Sequence, residues 1–331
     1  MRILTAAFVA VVAMLVAAAR ISAQDVNRAA ELMANARTAI GAKTLDELKT
    51  FSVEASVRRN LAQMQVTSDV EMLLELPDKY VRADQSNGPG IVMMSGMNTG
   101  FNGDKPLQPV QGSLGPGGSM MIRMGPGGPL PADGPKPTPE EQERMNQIVV
   151  RNAKQELSRL MLGWFAAAHP GVSVQYTFAG EAESPDGKAY VVDATNADGF
   201  EARLFIDQQS NLPLMVTYKA PQRQVTTNRG AGGTVTAGIG GAGVRRTEGQ
   251  LTEEERKKAQ DEAHKRTEQM RSQPPVMVDY TIYFDDWRTV DGVRFPHKMR
   301  RAMGSETTEE WTINRVRINP KIDPQKFAVK G

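Results

Sequence analysis

The fifteen residues DDWRTVDGVRFPHKM, from Asp285 to Met299, hold three aspartates, a histidine and a tryptophan. A carboxylate and an imidazole that meet across a strand ladder can work as a general acid/base pair, which makes Asp285, Asp286 and His297 the candidates for catalysis. The same residues have a plainer reading. Asp291-Gly292 lies between two alternating runs, where glycine accepts the positive φ of a tight hairpin turn. Three aspartates then cap a strand end and a turn, and His297 sits one strand away. No nucleophile or second histidine stands nearby, so the expectation is a turn and not an enzyme. GIGGAG, Gly238 to Gly243, matches the dinucleotide fingerprint in its letters but lies in a Gly/Thr tract followed by VRRTEGQ. The fingerprint requires a strand before it and a helix after it, so a loop is expected. His169, His264 and His297 are isolated from one another and no metal-ligand spacing is present, so neither metal nor cofactor is expected. His169, before Pro170, is expected to end a helix.

Other limits come from composition. The 331 residues contain no cysteine, which excludes disulfide scaffolds, thiolate metal sites and a lipid-modified N-terminal cysteine. Arg2, the apolar run ILTAAFVAVVAMLVAAA and the small residues of ISAQ have the layout of a secretory leader cleaved after Ala23 or Gln24. An uncleaved anchor is the alternative, although the run is short for a bilayer span and Arg20 interrupts it. Loss of Arg2 and Arg20, with no acid, brings the formal charge of +2 to about zero. A balanced surface argues against a nucleic-acid partner. The expected product is an exported, periplasmic chain.

The elements that would position any site follow from periodicity. Val26, Ala29, Ala30, Met33, Ala36 and Ile40 recur at helical spacing between Asp25 and Gly41. From Phe51 the period changes to two: Phe51, Val53, Ala55 and Val57, then Met64, Val66, Val70, Met72, Leu74 and Leu76, read as half-buried antiparallel strands. A third strand follows Pro77, and GIVMMSGMNTGFNGDKPL supplies a fourth, with room for a fifth, turning at Asn102-Gly103. Thr138-Pro139-Glu140-Glu141 starts a long helix that becomes apolar all round between Leu160 and Ala168. Strands resume in VSVQYTFAGEAE, GKAYVVDAT, FEARLFIDQQSNLPLMVTYKA and MVDYTIYFDDW. Val278, Tyr280, Ile282 and Phe284 share a face, followed by Val293, Phe295 and His297, and then Trp311, Ile313 and Val316. Two Gly-rich insertions, about 110–137 and 223–275, interrupt the pattern and are expected as mobile segments. The second includes a charged helix with Glu254–Lys258, Asp261–Lys265 and Glu262–Arg266 at i,i+4. Helix, strands, helix, strands describe a single α+β domain over 25–331, built on a large antiparallel sheet.

Methionines 64, 72, 93, 94, 97, 120, 121, 124, 161, 215 and 277 add adaptable apolar surface to these elements, either as core filling or as the wall of a cavity for acyl chains. The order of elements, with the turn LELPDKYVRA (Pro77-Asp78-Lys79-Tyr80), the Gly103-Asp104-Lys105 turn in NTGFNGDKPL and the closing IDPQKFAV, resembles the periplasmic lipoprotein-carrier superfamily (LolA/LolB-like, with LppX-type relatives). The resemblance covers Asp25 to about Leu107 and Val172 to Gly331. It implies a strongly curved, incomplete antiparallel barrel with helices over its concave face and acyl chains held between the two. Met64, Val66, Val70, Met72 and Leu74 would line that cavity, Trp164 and Phe165 would belong to the cover, and Tyr280, Phe284 and Trp311 to the far wall. It implies no enzymatic chemistry. Where the carrier proper has an arginine before the turn proline, helping to fasten the lid, this chain has Leu76, and whether Arg58 or Arg82 replaces it is left open by the sequence.

Three classes of function follow. A carrier of lipid or lipoprotein acyl chains, meeting envelope membrane proteins at either end of its route, predicts an apolar cavity. A non-catalytic envelope interaction module on the same fold predicts a filled core, and an enzyme predicts polar groups converging in a cleft.

Overall fold

The computed structural model describes residues 22–61, 64–86, 97–108, 113–114, 120–121, 124–125, 128–129, 138–184, 187–221 and 276–329. Helix α1 spans Ala23–Ile40. Ser22 and Asp25 form its capping box, and Gly41 ends it at φ 140° with its N–H donated to the Arg37 carbonyl. Its buried stripe is Ala29, Leu32, Met33, Ala36 and Ile40, whereas Ala30, expected on that stripe, is exposed. A single turn, α2 (Ala42–Asp46), buries Leu45. Helix α3 spans Pro139–Phe165, with the Thr138–Glu141 capping box at its start and Ala166 in the left-handed region at its end. Its last turns are buried from Leu157 to Phe165 except for Arg159, as the all-round apolar pattern predicts.

The strands are β1 (Thr50–Leu61), β2 (Met64–Glu75), β3 (Lys79–Ser86), β4 (Met97–Asn102), β5 (Lys105–Pro106), β6 (Gln175–Ser184), β7 (Gly187–Thr195), β8 (Glu201–Asp207), β9 (Pro213–Pro221), β10 (Met277–Val290), β11 (Val293–Met303) and β12 (Glu306–Ile318). They form one antiparallel sheet of 12 strands, in the order β6 through β12 and then β1 through β5. The last long strand therefore pairs with the first, and β12 against β1 lies in the middle of the sheet. Within the stretch expected to lack secondary structure, Ser113–Leu114 pairs with Met120–Met121 and Met124–Gly125 with Gly128–Pro129. Two-residue pairings need no buried face, so periodicity does not reveal them. The charged helix, GIGGAG and Met93 and Met94 lie outside the described residues.

The sheet is strongly curved. Lys154 and Arg159 are five residues apart on α3, roughly 7.5 Å along the helix axis. The Lys154 ammonium lies 5.5 Å from the Phe101 ring on β4, and the Arg159 guanidinium 4.4 Å from the Tyr218 ring on β9. Those rings are seven strand spacings apart, about 34 Å if the sheet were flat. Two side chains cannot bridge that gap, so the sheet wraps around α3. Bulges at Glu54/Ala55, Phe178/Gly180, Phe205/Ile206 and Arg301/Ala302 bend the ladder as the wrapping requires. The concave face and both long helices share one core, from Ala29 to Val316. A smaller cluster on the convex side packs Leu73, Val81 and Leu107 under Phe327 of the closing 3-10 turn Pro324–Phe327.

Candidate functional site

The Asp285–Met299 stretch is a hairpin. Val290 pairs with Val293 across Asp291 (φ 50°) and Gly292 (φ 81°), the two positive φ values of a type I′ turn. Asp286, at φ 55°, interrupts the ladder, and its carboxylate forms a two-pronged pair with Arg288 (3.0 and 2.6 Å). That hydrogen-bonded pairing holds the Asp286 carboxyl below the usual range. Asp285 accepts from the Asp286 N–H at 2.7 Å, and the buried His297 ring has Nδ1 3.0 Å from the Phe295 carbonyl. The Asp285 and Asp286 carboxylates are thus engaged locally, as expected of a turn.

Of the residues expected to line an apolar cavity, Val70, Met72, Leu74, Trp164, Phe165, Tyr280, Phe284 and Trp311 belong to the main core. Val70, Met72 and Leu74 of β2 face Ala55, Val53 and Phe51 of β1 across the ladder, and all are buried. Trp164 is fully buried, 6.0 Å from Phe51 and 5.4 Å from Phe295, and its indole N–H points at Met299 Sδ at 3.1 Å. Phe165 meets Phe51 edge to face at 5.0 Å. Gly163 lies directly on Phe284, so close that a Cβ there would overlap the ring. Tyr280 stacks on Tyr218 at 5.4 Å, and Trp311 is buried on β12. Val66 is buried outside the main cluster, opposite Arg59, and the Met64 side chain lies outside the described residues. The methionines divide: Met72 and Met161 are buried, Met215 is half-buried and Met277 is 53% exposed, so Met277 does not line the core. The surviving set packs as one dense aromatic and aliphatic core.

What the sequence reading missed is the other end of that face, which is charged. On β1 the inward alternation Phe51, Val53, Ala55, Val57 continues in phase to Arg59, whose side chain is only 8% exposed. Arg59 donates to Ser68 (2.6 Å), Asp84 (3.1 Å) and Glu309 (3.1 Å). Arg82 pairs with Asp84 at 3.0 Å and lies 4.9 Å from the Trp311 ring centre. Glu309 also accepts from the Trp311 indole at 3.1 Å and has Arg301 Nε 3.9 Å away. Arg301, itself buried, forms an ion pair with Glu156 of α3. A charge in phase with core residues on a strand is the signal that would have found this cluster. Burial alone would raise the Glu309 pKa, but the guanidiniums of Arg301, Arg82 and Arg59 outweigh it and hold the carboxyl at about 2. Burial likewise pushes down the Arg301 pKa, and Glu156, Tyr218 and Glu309 more than reverse it.

These contacts also settle the fastening of α3. Arg58 points to the convex face, half-exposed and paired with Glu310, and Arg82 is engaged with Asp84. The arginine that reaches the helix is Arg301 on β11, because inward parity places it beneath Glu156. At the sheet edge, Lys154 pairs with Asp104 in the β4–β5 turn at 3.1 Å. The helix expected to end at His169 ends at Phe165 with Ala166 as its left-handed cap, so His169 lies three residues beyond the cap. It is 1% exposed, accepts from the Gly171 N–H at Nδ1 (3.0 Å) and meets Phe101 edge to face, and its Nε2 has no hydrogen-bond partner among the described residues. Burial, aided by Lys154 and opposed by Asp78, lowers its pKa to about 4. A groove of about 370 Å³ runs beside the first half of α3, where Asp104 of one sheet end approaches Asn196 and Asp198 of the other. Glu143, Arg151 and Lys154 make its lining polar. Among the described residues no helix is long and apolar enough to cross a membrane, and no cluster of three His, Asp or Glu has metal-binding geometry.

The fold defined here is an open, wrapped antiparallel sheet whose concave face is covered by helices, the α+β architecture expected. Solved structures similar to this chain include a LolA superfamily protein from Nitrosomonas europaea, at 9% identity and TM-score 0.43, covering 91% of this chain and 97% of that one. A DUF1329 family protein from Desulfovibrio piger is similar at 10% identity and TM-score 0.41, covering 92% and 97%. A putative outer membrane lipoprotein-sorting protein domain from Vibrio parahaemolyticus follows at 9% and 0.40, covering 91% and 97%. No family model matches the chain, and no curated protein matches it in sequence.

Proposed function

We propose that the protein is a non-enzymatic carrier, exported to the periplasm by a leader over residues 1–24, that holds acyl chains of lipids or lipoproteins beneath α3 for transfer through the cell envelope. The observation that carries this reading is the way α3 is attached. Its apolar end covers the concave face, while ion pairs, Glu156 to Arg301 and Lys154 to Asp104, tie it to the sheet. Ion pairs can be exchanged for pairs with another charge, so such a cover can lift without unfolding the sheet. A sixteen-carbon chain entering beneath it would contribute about 0.8 kcal/mol per buried CH₂, enough to offset the contacts given up by Trp164 and Phe165. Val66, Val70, Met72, Leu74, Tyr280, Phe284 and Trp311, with Met64 at the start of β2, would then wall the opened space.

The density of the Trp164–Phe51–Phe295 packing favours a second reading, a non-catalytic envelope interaction module with a permanently filled core. One experiment separates them. The mature chain is purified without detergent from the envelope of an expressing bacterium and extracted for lipid mass spectrometry, beside a Val70→Glu variant checked for folding by circular dichroism. The carrier reading expects a stoichiometric acyl species that the folded variant lacks. A folded wild-type chain with a clean extract overturns it and leaves the interaction module.

A further inference from the structure

We propose that the buried charged end of the concave face recognises a lipid-borne phosphodiester, whose anionic oxygens replace Glu156 on Arg301 when α3 lifts. This rests on the carrier reading above. Among the described residues, the sheet contributes Arg59, Arg82 and Arg301 to the cluster against Asp84 and Glu309, three guanidiniums facing two carboxylates. The missing negative charge comes from α3, as Glu156, which also accepts from Arg159 at 3.4 Å. Arg159 leans over Tyr218 and Phe200, and its buried Nε has no hydrogen-bond partner among the described residues. Tyr80 completes the surroundings, its hydroxyl pushed firmly toward the neutral form by burial.

Lifting α3 removes Glu156 and leaves the sheet-borne cluster one positive charge in excess in a poorly hydrated recess, which is costly unless an anion takes its place. A phosphodiester suits that vacancy: it carries one negative charge and two oxygens that accept from a guanidinium side by side. Its acyl chains would extend from Arg301 along the same face toward Met299, Phe284 and the aromatic end, because Met299 lies two residues along β11 on the same side of the sheet. Opening and loading would then be one exchange of counterions, and a zwitterionic headgroup, whose choline cation must enter with it, would be disfavoured.

To test this, the full chain is incubated with vesicles of dioleoylphosphatidylglycerol or of dioleoylphosphatidylcholine, which have the same acyl chains. The vesicles are removed and lipid is quantified on the soluble protein. The expected result is phosphatidylglycerol uptake about tenfold or more above phosphatidylcholine, the ratio typical of one lost charge-assisted contact. Arg301→Gln should reduce that ratio to near one while phosphatidylcholine uptake persists. If that variant does not fold, Glu156→Gln serves instead: it frees Arg301 in the closed state and should raise phosphatidylglycerol uptake severalfold. Equal uptake of both lipids by the wild-type chain overturns the inference and leaves the carrier reading standing. No uptake of either overturns the carrier reading, and the inference with it. Millimolar inorganic phosphate separates the source of the anion. Undiminished phosphatidylglycerol preference in its presence supports a lipid-borne ligand, and loss of the preference overturns that assignment in favour of free phosphate.

Discussion

At the scale of single residues, two buried groups make stability depend on acid in opposite halves of the pH range below neutrality. His169 has a folded pKa of about 4, below its ordinary 6.5, so between these values the unfolded chain holds the extra proton and stability falls as pH falls. The full effect is on the order of 3 kcal/mol. Glu309 has a folded pKa of about 2 against an ordinary 4.5, so its contribution is complete above 4.5 and is lost as pH falls toward 2. Urea midpoints measured at pH 7 and at pH 5 should therefore differ, and His169→Asn, which keeps an acceptor for the Gly171 N–H, should remove most of that difference. An unchanged slope in the variant would assign it to other groups. The sequence marked both positions differently: His169 was read as the helix end although the helix stops at Phe165, whereas Glu309 carries no local signal beyond its phase with Trp311.

At the scale of elements, the junction that matters is α3 on β10. Gly163 lets the helix backbone touch the face of Phe284, and Phe284 in turn pairs across the ladder with Met299, which meets the Trp164 indole. Gly163→Ala adds one methyl where the ring already stands, so either Phe284 or the helix must move, at a cost of roughly 1–3 kcal/mol. A urea midpoint lowered by that free energy divided by the m-value, together with faster uptake of a fluorescent fatty acid, is the expected outcome; an unchanged midpoint would mean that α3 does not press on β10. The start of helix α3 was legible to the residue, because its cap and first-turn proline are local features, while its end at Phe165 falls three residues short of the expected Ala168. The attachment of the helix to Arg301 was not legible, since nothing in the sequence links Glu156 to a residue 145 positions away.

At the scale of the whole molecule, the sheet is continuous across the chain's longest interruption. The ladder between β9 and β10 runs up to Pro221 against Met277, so residues 223–275 are inserted at the tip of a paired hairpin. Replacing them with a two-residue Asn-Gly turn should keep the sheet, with an unchanged far-ultraviolet circular dichroism spectrum per folded residue and a Tm within about 4 °C of the parent. A cooperative transition lost in the shortened chain would show that the insertion contributes to the core. The alternating strands, both capped helices and the Asp291–Gly292 hairpin were determined by the sequence alone, because period, caps and turn residues act over a few neighbouring positions. Three things were decided by tertiary structure: the pairing of β12 with β1, the wrapping that brings Asp104 opposite Asn196, and the gathering of Arg59, Arg82, Asp84, Glu156, Arg301 and Glu309 under one helix. Each depends on residues far apart in the chain, and only the closing of the sheet over a shared core makes them neighbours.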